Sequence, residues 1–273
     1  MSPTAQICHY LVRVCGPRLA DMGLLIGVVG ASGGLGASTL TAALAARGPT
    51  VVDDCATAVA VDLDIRGGLD TTMCVEHVPG TRWDTLMEAL AIGTGPDTVR
   101  VSDLPAEAGT AVLSGAVGQP LPSDLVIETL DTLASAADLV SIDCGPRPPG
   151  HVLSRLDLLV VLVGMTTRHL HDAMALSQTC ALSRTTPVLV SRGPKNSRPG
   201  SALARQLDLP LLGHLGDDPG VQRQARESLA PGVMRSVVDA VADEALVMAQ
   251  SRWLATLVHR LAPERSSGLS WTA

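Results

Sequence analysis

Residues 24–39 read LLIGVVGASGGLGAST, and the rest of the chain is interpreted from this segment. Its first part, residues 24–29, is an apolar run bounded by glycine and is typical of a buried strand. Its second part, residues 30–36, holds four glycines in seven residues. The Ala- and Leu-rich residues 38–46 follow and predict a helix. A glycine-rich loop between a strand and a helix lets backbone N–H groups converge on a phosphate at the helix N-terminus.

The remaining apolar segments predict how this unit is extended. Strands are predicted at residues 58–63, 110–113, 139–142, 158–163, 187–190 and 211–215, and helices at 125–137, 171–182 and 203–207. Because the strands are continuously apolar and alternate with helices, we predict an α/β fold with a doubly wound, mostly parallel sheet. After Pro231, apolar residues recur along one face and predict a long C-terminal amphipathic helix of about 30 residues.

Composition excludes several classes of protein. The 273 residues are 46% hydrophobic but only 1% aromatic, and the net charge is −7. So few aromatic side chains do not predict a surface on which the bases of single-stranded nucleic acid could stack. The small basic stretch 192–205 does not predict specific nucleic-acid binding either. The longest nearly apolar run, residues 158–165, is too short to span a membrane. We expect a cytoplasmic protein. The C-terminal helix has two interpretations, packing on this chain or a second protomer, or peripheral membrane contact through residues 233–262.

Two functional interpretations of the glycine loop compete. Gly30, Gly34 and Gly36 fit the G-x-x-x-G-x-G pattern of short-chain dehydrogenases, which also need a Tyr-x-x-x-Lys pair for proton transfer. The single tyrosine of the chain is Tyr10 and its single lysine is Lys195, so that pair cannot be built. An NAD(P)-binding reductase is thus the weaker interpretation.

The second interpretation is a phosphate-binding loop of the Walker type, which normally ends in G-K-[ST]. In this chain Ala37 occupies the position of the Walker lysine, and Ser32 occupies the position of the second lysine that the deviant form adds. The hydroxyl residues Ser38 and Thr39 are present. Further along the chain, carboxylates follow two predicted strands: Asp62 and Asp64 end one, and Asp143 ends another. Carboxylates at such strand ends can hold Mg²⁺ or orient a water molecule.

Taken in order, these segments resemble the MinD/ParA family of deviant Walker ATPases. Within that family the chain is similar to the CpaE/TadZ branch and to septum-site-determining proteins. The matching segments are GASGGLGAST, VDLDIRGGLD, the turn at 79–83, LVSID at 139–143, VLVSR at 188–192 and LGDDP at 215–219. The resemblance spans residues 23–232. It divides the chain into a leader (1–21), a MinD/ParA-like nucleotide-binding domain (22–232) and a C-terminal helix with its tail (233–273).

The resemblance implies a homodimer, gated by ATP or ADP with Mg²⁺, that places a protein partner of the division or pilus-secretion machinery in the cell. It also implies roles for individual residues. The loop residues Gly33, Gly34, Leu35, Gly36, Ala37, Ser38 and Thr39 would wrap the nucleotide, and Ser38, Asp62 and Asp143 would hold Mg²⁺. Asp64 would orient water in the catalytic role, and Ser191, Arg192 and Pro194 would lie by the adenine.

Departures from the family pattern qualify these implications. Ala37 and Ser32 remove two positive charges from the site, and phosphoryl transfer depends on electrostatic stabilisation. We therefore expect weak or absent hydrolysis, with Arg66 or Arg147 as alternative replacements for the lysine. A nucleotide-free dimeric scaffold remains the alternative function. Trp83 has two interpretations, a structural turn or an anchor for a partner. Members of the branch often carry an N-terminal receiver-like domain, and only the leader precedes the first strand here.

Overall fold

A computed structural model describes residues 22–93, 99–115, 118–180, 185, 187–194, 200–233 and 236–261, with side chains described as far as Thr256. The predicted leader 1–21, Lys195, Arg198, Met234 and the tail beyond residue 261 lie outside the described residues.

One sheet runs through the described part of the chain, and its central strands are parallel. The strand order is β3-β4-β2-β5-β1-β6-β7-β8, and only the β3–β4 pairing is antiparallel. Every predicted strand is confirmed to within two residues, and so is the predicted α/β fold. The strands are β1 Leu24–Gly30, β2 Ala58–Asp62, β3 Ala106–Glu107, β4 Thr110–Leu113, β5 Leu139–Asp143, β6 Leu158–Gly164, β7 Val188–Arg192 and β8 Leu211–Leu215.

Helices cover both faces of this sheet, as continuously apolar parallel strands require. They are α1 Ala37–Val51, α2 Leu69–Thr72, α3 Trp83–Ala91, α4 Ser123–Ala136, α5 Gly150–Leu153, α6 Thr167–Cys180, α7 Gly200–Leu207, α8 Pro219–Arg226 and α9 Val237–Leu261, with a 3₁₀ turn at Val101–Asp103. The predicted helices 38–46, 125–137 and 203–207 are confirmed, with α1 longer at its C-terminal end. For the predicted helix 171–182, residues 181 and 182 lie outside the described part, and α6 begins earlier than predicted.

The core consists mainly of Ala, Val and Leu, as the composition requires. All residues of β1, β5 and β6 are buried. The buried hydroxyl of Ser141 in β5 donates a hydrogen bond to the carbonyl of Thr41 in α1 at 2.9 Å. Because a buried polar group without a partner is costly, this bond lets a serine lie in a fully buried strand.

Trp83 begins α3, a helix that the sequence pattern did not predict because it is short and follows a turn. The indole is fully buried and donates its N–H to the carbonyl of Asp62 at 2.7 Å. Of the two interpretations of Trp83, the structure therefore supports the structural one. An anchor for a partner would need an exposed ring.

The C-terminal helix α9 packs chiefly on α1. Val238, Val241, Ala245 and Ala249 of the predicted stripe are buried, and Ala242 and Leu246 join them. A bidentate ion pair connects the same two helices, because Arg47 Nε and Nη2 lie 2.8 and 2.9 Å from the Asp243 carboxylate oxygens. As far as Ala249, the apolar face of α9 is thus covered by the chain itself. In the described part of the chain, no helix is both long enough and apolar enough to cross one.

If α9 packs on the folded domain, substitutions of neighbouring residues on its buried and exposed faces should change the free energy of unfolding by very different amounts. Leu246→Ala removes a fully buried side chain and is expected to lower the free energy of unfolding by about 2–5 kcal/mol. The matched control Val247→Ala changes a side chain that is 54% exposed and should stay within about 0.5 kcal/mol of the wild type. Urea unfolding of the three proteins measures this, and equal stabilities would contradict the packing.

Candidate functional site

The loop that follows β1 presents an open backbone surface. Gly34 and Gly36 have φ angles of 78° and 96°, and among the described residues no heavy atom outside the adjoining chain lies within 4 Å of where a Cβ would stand at either. These angles favour glycine, and the free space means that the loop can approach a ligand closely. Gly36 caps α1 without any side-chain hydrogen bond, and the first turn of α1 carries no acidic residue. The N-terminus of α1 is therefore available to an anion.

Ser38 and Asp143, two of the three predicted Mg²⁺ residues, are in direct contact. The Ser38 hydroxyl donates to Oδ2 of Asp143 at 2.6 Å, and Gly145 N–H donates to Oδ1 at 3.1 Å. Asp143 ends β5, which is the neighbour of β1, so sheet pairing brings its carboxylate to the start of α1. A hydroxyl and a carboxylate held together in this way offer two oxygen atoms of the kind that bind Mg²⁺.

Asp62, the third residue predicted to hold Mg²⁺, lies beside Asp143 and is hydrogen-bonded to the loop that follows β2. It pairs with Asp143 in the register of β2 and β5 and is only 2% exposed. Its carboxylate accepts N–H groups from Asp64 and Leu69 at 2.9 and 3.1 Å. Both oxygens thus already bind the loop between β2 and α2. In this structure Asp62 orders that loop, and the carboxylate that reaches the loop after β1 is that of Asp143.

The two buried carboxylates are electrostatically unfavourable neighbours. Burial, and then the charge of Asp143, raise the pKa of Asp62 to about 7. Burial also raises the pKa of Asp143, against the hydrogen bond from Ser38. A divalent cation beside them would favour the charged forms.

Asp64, the predicted water-orienting residue, forms an ion pair with Arg66. Arg66 Nη2 lies 2.5 Å from Oδ2 of Asp64, and Nε lies 3.1 Å from each carboxylate oxygen. Partial burial alone would raise the pKa of Asp64, but the hydrogen bonds and charge of Arg66 lower it below its usual value. The predicted catalytic carboxylate is therefore occupied by an arginine side chain.

Three neighbouring cavities surround the loop at the carboxyl edge of the sheet. After the parts of a nucleotide that the family resemblance would place in the first two, we name them the phosphate cavity (about 310 Å³), the base cavity (about 190 Å³) and the wide cleft (about 1000 Å³). The seven predicted loop residues all line the phosphate cavity, together with Gly30, Ser32, Asp64, Arg66, Thr72, Asp143, Gly145 and Pro146. The predicted loop residues are thus brought together as expected.

Of the three residues predicted to lie by the adenine, only Arg192 lines the base cavity. It also forms an ion pair with Asp217 at 2.7 Å. The Ser191 side chain is buried and lies 2.9 Å from Nδ1 of His214. The carbonyl of Pro194 lies 3.1 Å from the other ring nitrogen of His214. Ser191 and Pro194 therefore connect β7 to His214 of β8 rather than line the cavity.

Ser32 stands where the family resemblance places a lysine that reaches across the dimer. Its hydroxyl donates to Oδ2 of Asp172 in α6 at 2.5 Å, and Arg168 Nε lies 3.7 Å from the same oxygen. The sequence analysis did not identify this contact, because Asp172 is 140 positions away in the chain. Gly145 and Pro146 were also missed, although their position directly after Asp143 was a usable signal.

The residues present fit a nucleotide with its magnesium ion. The phosphate cavity offers backbone N–H groups at a helix N-terminus, and Ser38 and Asp143 offer two oxygen ligands. Among the described residues, no group of three or more His, Cys, Asp or Glu side chains could hold a metal ion. Magnesium usually takes one or two carboxylates and completes its shell with phosphates and water. The site therefore suits Mg²⁺ that arrives with a nucleotide.

Comparison with known proteins places the fold. No protein-family model and no curated protein matches the chain. Solved structures do match, and the chain has the fold of ParA/MinD-type ATPases. A ParA-family ATPase from Chlorobium tepidum TLS is 18% identical with a TM-score of 0.62, over 83% of this chain and 98% of that one. The MinC:MinD cell division complex of Aquifex aeolicus matches at 15% identity and a TM-score of 0.60, over 92% of this chain and 100% of that one. The Cyanothece McdA–ATP complex matches at 12% identity and a TM-score of 0.61, over 85% of this chain and 97% of that one.

The raised pKa of Asp62 gives a pH-dependent prediction. Because the folded-state pKa is about 7 against an ordinary 3.8, this carboxyl contributes stability at low pH that is lost as the pH rises toward 7. Asp62→Asn has no charge to bury. Its free energy of unfolding relative to the wild type should therefore be higher at about pH 8 than at about pH 5.

Urea unfolding with a chelator and without nucleotide measures this difference. Asp124→Asn, an exposed carboxylate change in α4, serves as the control and should show no such trend. A relative stability of Asp62→Asn that falls with rising pH would contradict the assignment.

Proposed function

We propose that this chain is a nucleotide-binding spatial regulator, a switch that binds ATP or ADP with Mg²⁺ and positions other machinery in the cell. The observation that carries the proposal is the contact between Ser38 and Asp143 at 2.6 Å, beside an open glycine loop. A tight turn without a ligand needs neither the paired hydroxyl and carboxylate nor a helix N-terminus left without a side-chain cap. The similar McdA structure is named as an ATP complex, which supports the same ligand here.

In this proposal the backbone of Gly33–Thr39 and the N-terminus of α1 bind the phosphates, and Ser38 with Asp143 holds the metal. Arg192 lies on the side of the base. The bound ion would neutralise charge on the phosphates. Because Ala37 and Ser32 stand at both lysine positions, the loop itself supplies no cation for phosphoryl transfer. Removing one electrostatic donor from an active site costs on the order of 10²–10³ in rate, so we expect hydrolysis to be weak or absent.

The finer assignments rest on the resemblance stated from the sequence. We propose a role like that of the CpaE/TadZ proteins of Flp/Tad pilus assembly or of septum-site-determining proteins. The proposed working form is a homodimer that recruits one protein partner at the inner side of the cell membrane. The similar MinD structure is named as a complex with MinC, which supports a protein partner.

A nucleotide-free scaffold is the second candidate, and one observation favours it. The cation of the phosphate cavity, Arg66, already has a partner within the chain, because it forms an ion pair with Asp64. The two candidates differ in whether Mg²⁺-ATP binds at all.

Calorimetric titration with Mg²⁺-ATP tests the proposal, with NADH as the control ligand and phosphate release followed in the same sample. The wild type should bind ATP saturably, release little phosphate and ignore NADH. Ser38→Ala removes a metal ligand and should weaken binding by at least about tenfold. The matched control Ser123→Ala, at the exposed start of α4, should bind as the wild type does. No ATP binding at millimolar concentration would support the scaffold, and NADH binding would support the reductase.

Nucleotide should also control assembly if the switch interpretation holds. Sedimentation velocity with Mg²⁺ and a non-hydrolysable ATP analogue is expected to show a dimer, and with ADP a monomer. An unchanged sedimentation coefficient in all three states, including no nucleotide, would contradict a nucleotide-gated dimer.

A further inference from the structure

Arg66 is the one basic side chain among the described residues that line the phosphate cavity. It belongs to the loop between β2 and α2, whereas Walker lysines lie on the phosphate loop itself. Its guanidinium is near the apex of that loop, because Nη1 would lie 3.2 Å from a Cβ at Gly33. Arg147, the other candidate replacement for the lysine, lines the wide cleft and not the phosphate cavity. The structure thus separates two arginines that the sequence left equivalent.

The two cavities that adjoin the phosphate cavity indicate how a nucleotide would be oriented in it. It shares Leu35, Gly36 and Thr39 with the base cavity at one end. At the other end it shares Ser32, Gly33, Asp64 and Arg66 with the wide cleft. A nucleotide with its base beside Arg192 and its phosphates along the loop therefore extends toward Arg66. The phosphate farthest from the base is the one that meets the guanidinium.

The ion pair with Asp64 shows that the guanidinium of Arg66 is placed to bind an anion with two oxygen atoms. The side chain of Arg66 is 61% exposed, and it holds a carboxylate through Nε and Nη2. A planar guanidinium presents the same pair of donors to a phosphate as to a carboxylate. Asp64 lines the cavity next to Arg66 and is held by Nε and Nη2, whereas Nη1 is the nitrogen nearest the phosphate loop. A terminal phosphate and the Asp64 carboxylate would therefore meet one guanidinium and compete for its charge.

We propose that Arg66 binds the terminal phosphate of the nucleotide in place of the missing phosphate-loop lysine, and that Asp64 is the internal competitor for it. This inference rests on the proposed function, because it concerns the same site. It adds the means by which the site distinguishes a nucleoside triphosphate from a diphosphate. A diphosphate leaves the guanidinium of Arg66 to Asp64 alone, whereas the terminal phosphate of a triphosphate binds the guanidinium in competition with Asp64.

The test compares equilibrium binding of a non-hydrolysable Mg²⁺-ATP analogue and of Mg²⁺-ADP by calorimetry. Arg66→Ala is expected to weaken binding of the triphosphate by roughly 10- to 100-fold, the effect of one charge-assisted hydrogen-bonded contact. Binding of ADP should change by less than about threefold, since that contact is absent. The matched control Arg147→Ala removes an exposed arginine of the wide cleft and should leave both affinities within about twofold of the wild type.

Two further variants test the donor geometry of Arg66 and the competition by Asp64. Arg66→Lys keeps the charge but not the two-pronged geometry, so it should restore only part of the lost triphosphate affinity. Asp64→Asn removes the competitor and should raise the ratio of triphosphate to diphosphate affinity. Because the Arg66 side chain is largely exposed, thermal unfolding without nucleotide should be unchanged in Arg66→Ala.

Each outcome is decisive. If the wild type binds neither nucleotide, the proposed function and this inference both fail. If the wild type binds both but Arg66→Ala retains the preference for the triphosphate, this inference alone fails. Equal losses for both nucleotides would overturn the assignment to the terminal phosphate, and a lower ratio in Asp64→Asn would overturn the competition.

Discussion

The position of β1 at the centre of the sheet is the constraint on which the site depends. Every residue of β1 is buried, and its neighbours on the two sides are β5 and β6. The pairing of Val28 with Asp143 brings the end of β5 beside the loop that leaves β1. One strand further out, Asp62 pairs with Asp143. The acidic residues are therefore fixed by strand register, and the phosphate cavity forms where the chain reverses its order in the sheet, as in other doubly wound folds.

The site has an unusual balance of charge for one that binds phosphates. Three carboxylates, Asp62, Asp64 and Asp143, lie around the end of β2 and β5, and Arg66 is the cation that reaches them in the described structure. Because the pKa of Asp62 is raised to about 7, this carboxyl is partly protonated near neutral pH and the negative charge of the group is smaller. What remains to bind an anion is the backbone of the loop and the dipole of α1. Magnesium and Arg66 then become more important than in a loop that has its own lysine.

Sequence patterns predicted the strands and the phosphate loop, because long apolar runs and clustered glycines are local signals. They do not determine the surroundings of a residue where side-chain direction or distant contacts decide. Ser191 and Arg192 are adjacent in β7 and point to opposite sides, so only one can line the base cavity, and periodicity does not say which. The role of Asp62 depends on N–H groups of the following loop, and the contact of Ser32 with Asp172 joins distant parts of the chain. Arg66 and Arg147 looked equivalent because the cavities that separate them arise only on folding.

In the proposed site the phosphate-binding cation lies on the β2–α2 loop and not on the phosphate loop. This position changes which nucleotides the site can distinguish. A lysine at the start of α1 would be attached to a buried helix and would attract every phosphate of the nucleotide. Arg66 is attached to a loop whose next two residues, Gly67 and Gly68, have φ angles of 65° and 109°. Its charge is also paired with Asp64, and in the proposed site a terminal phosphate competes for that charge. Breaking this internal pair lowers the overall affinity, but it makes the position of the loop depend on the terminal phosphate. If the chain binds nucleotide and hydrolyses it weakly or not at all, as proposed, it could in this way still distinguish a triphosphate from a diphosphate.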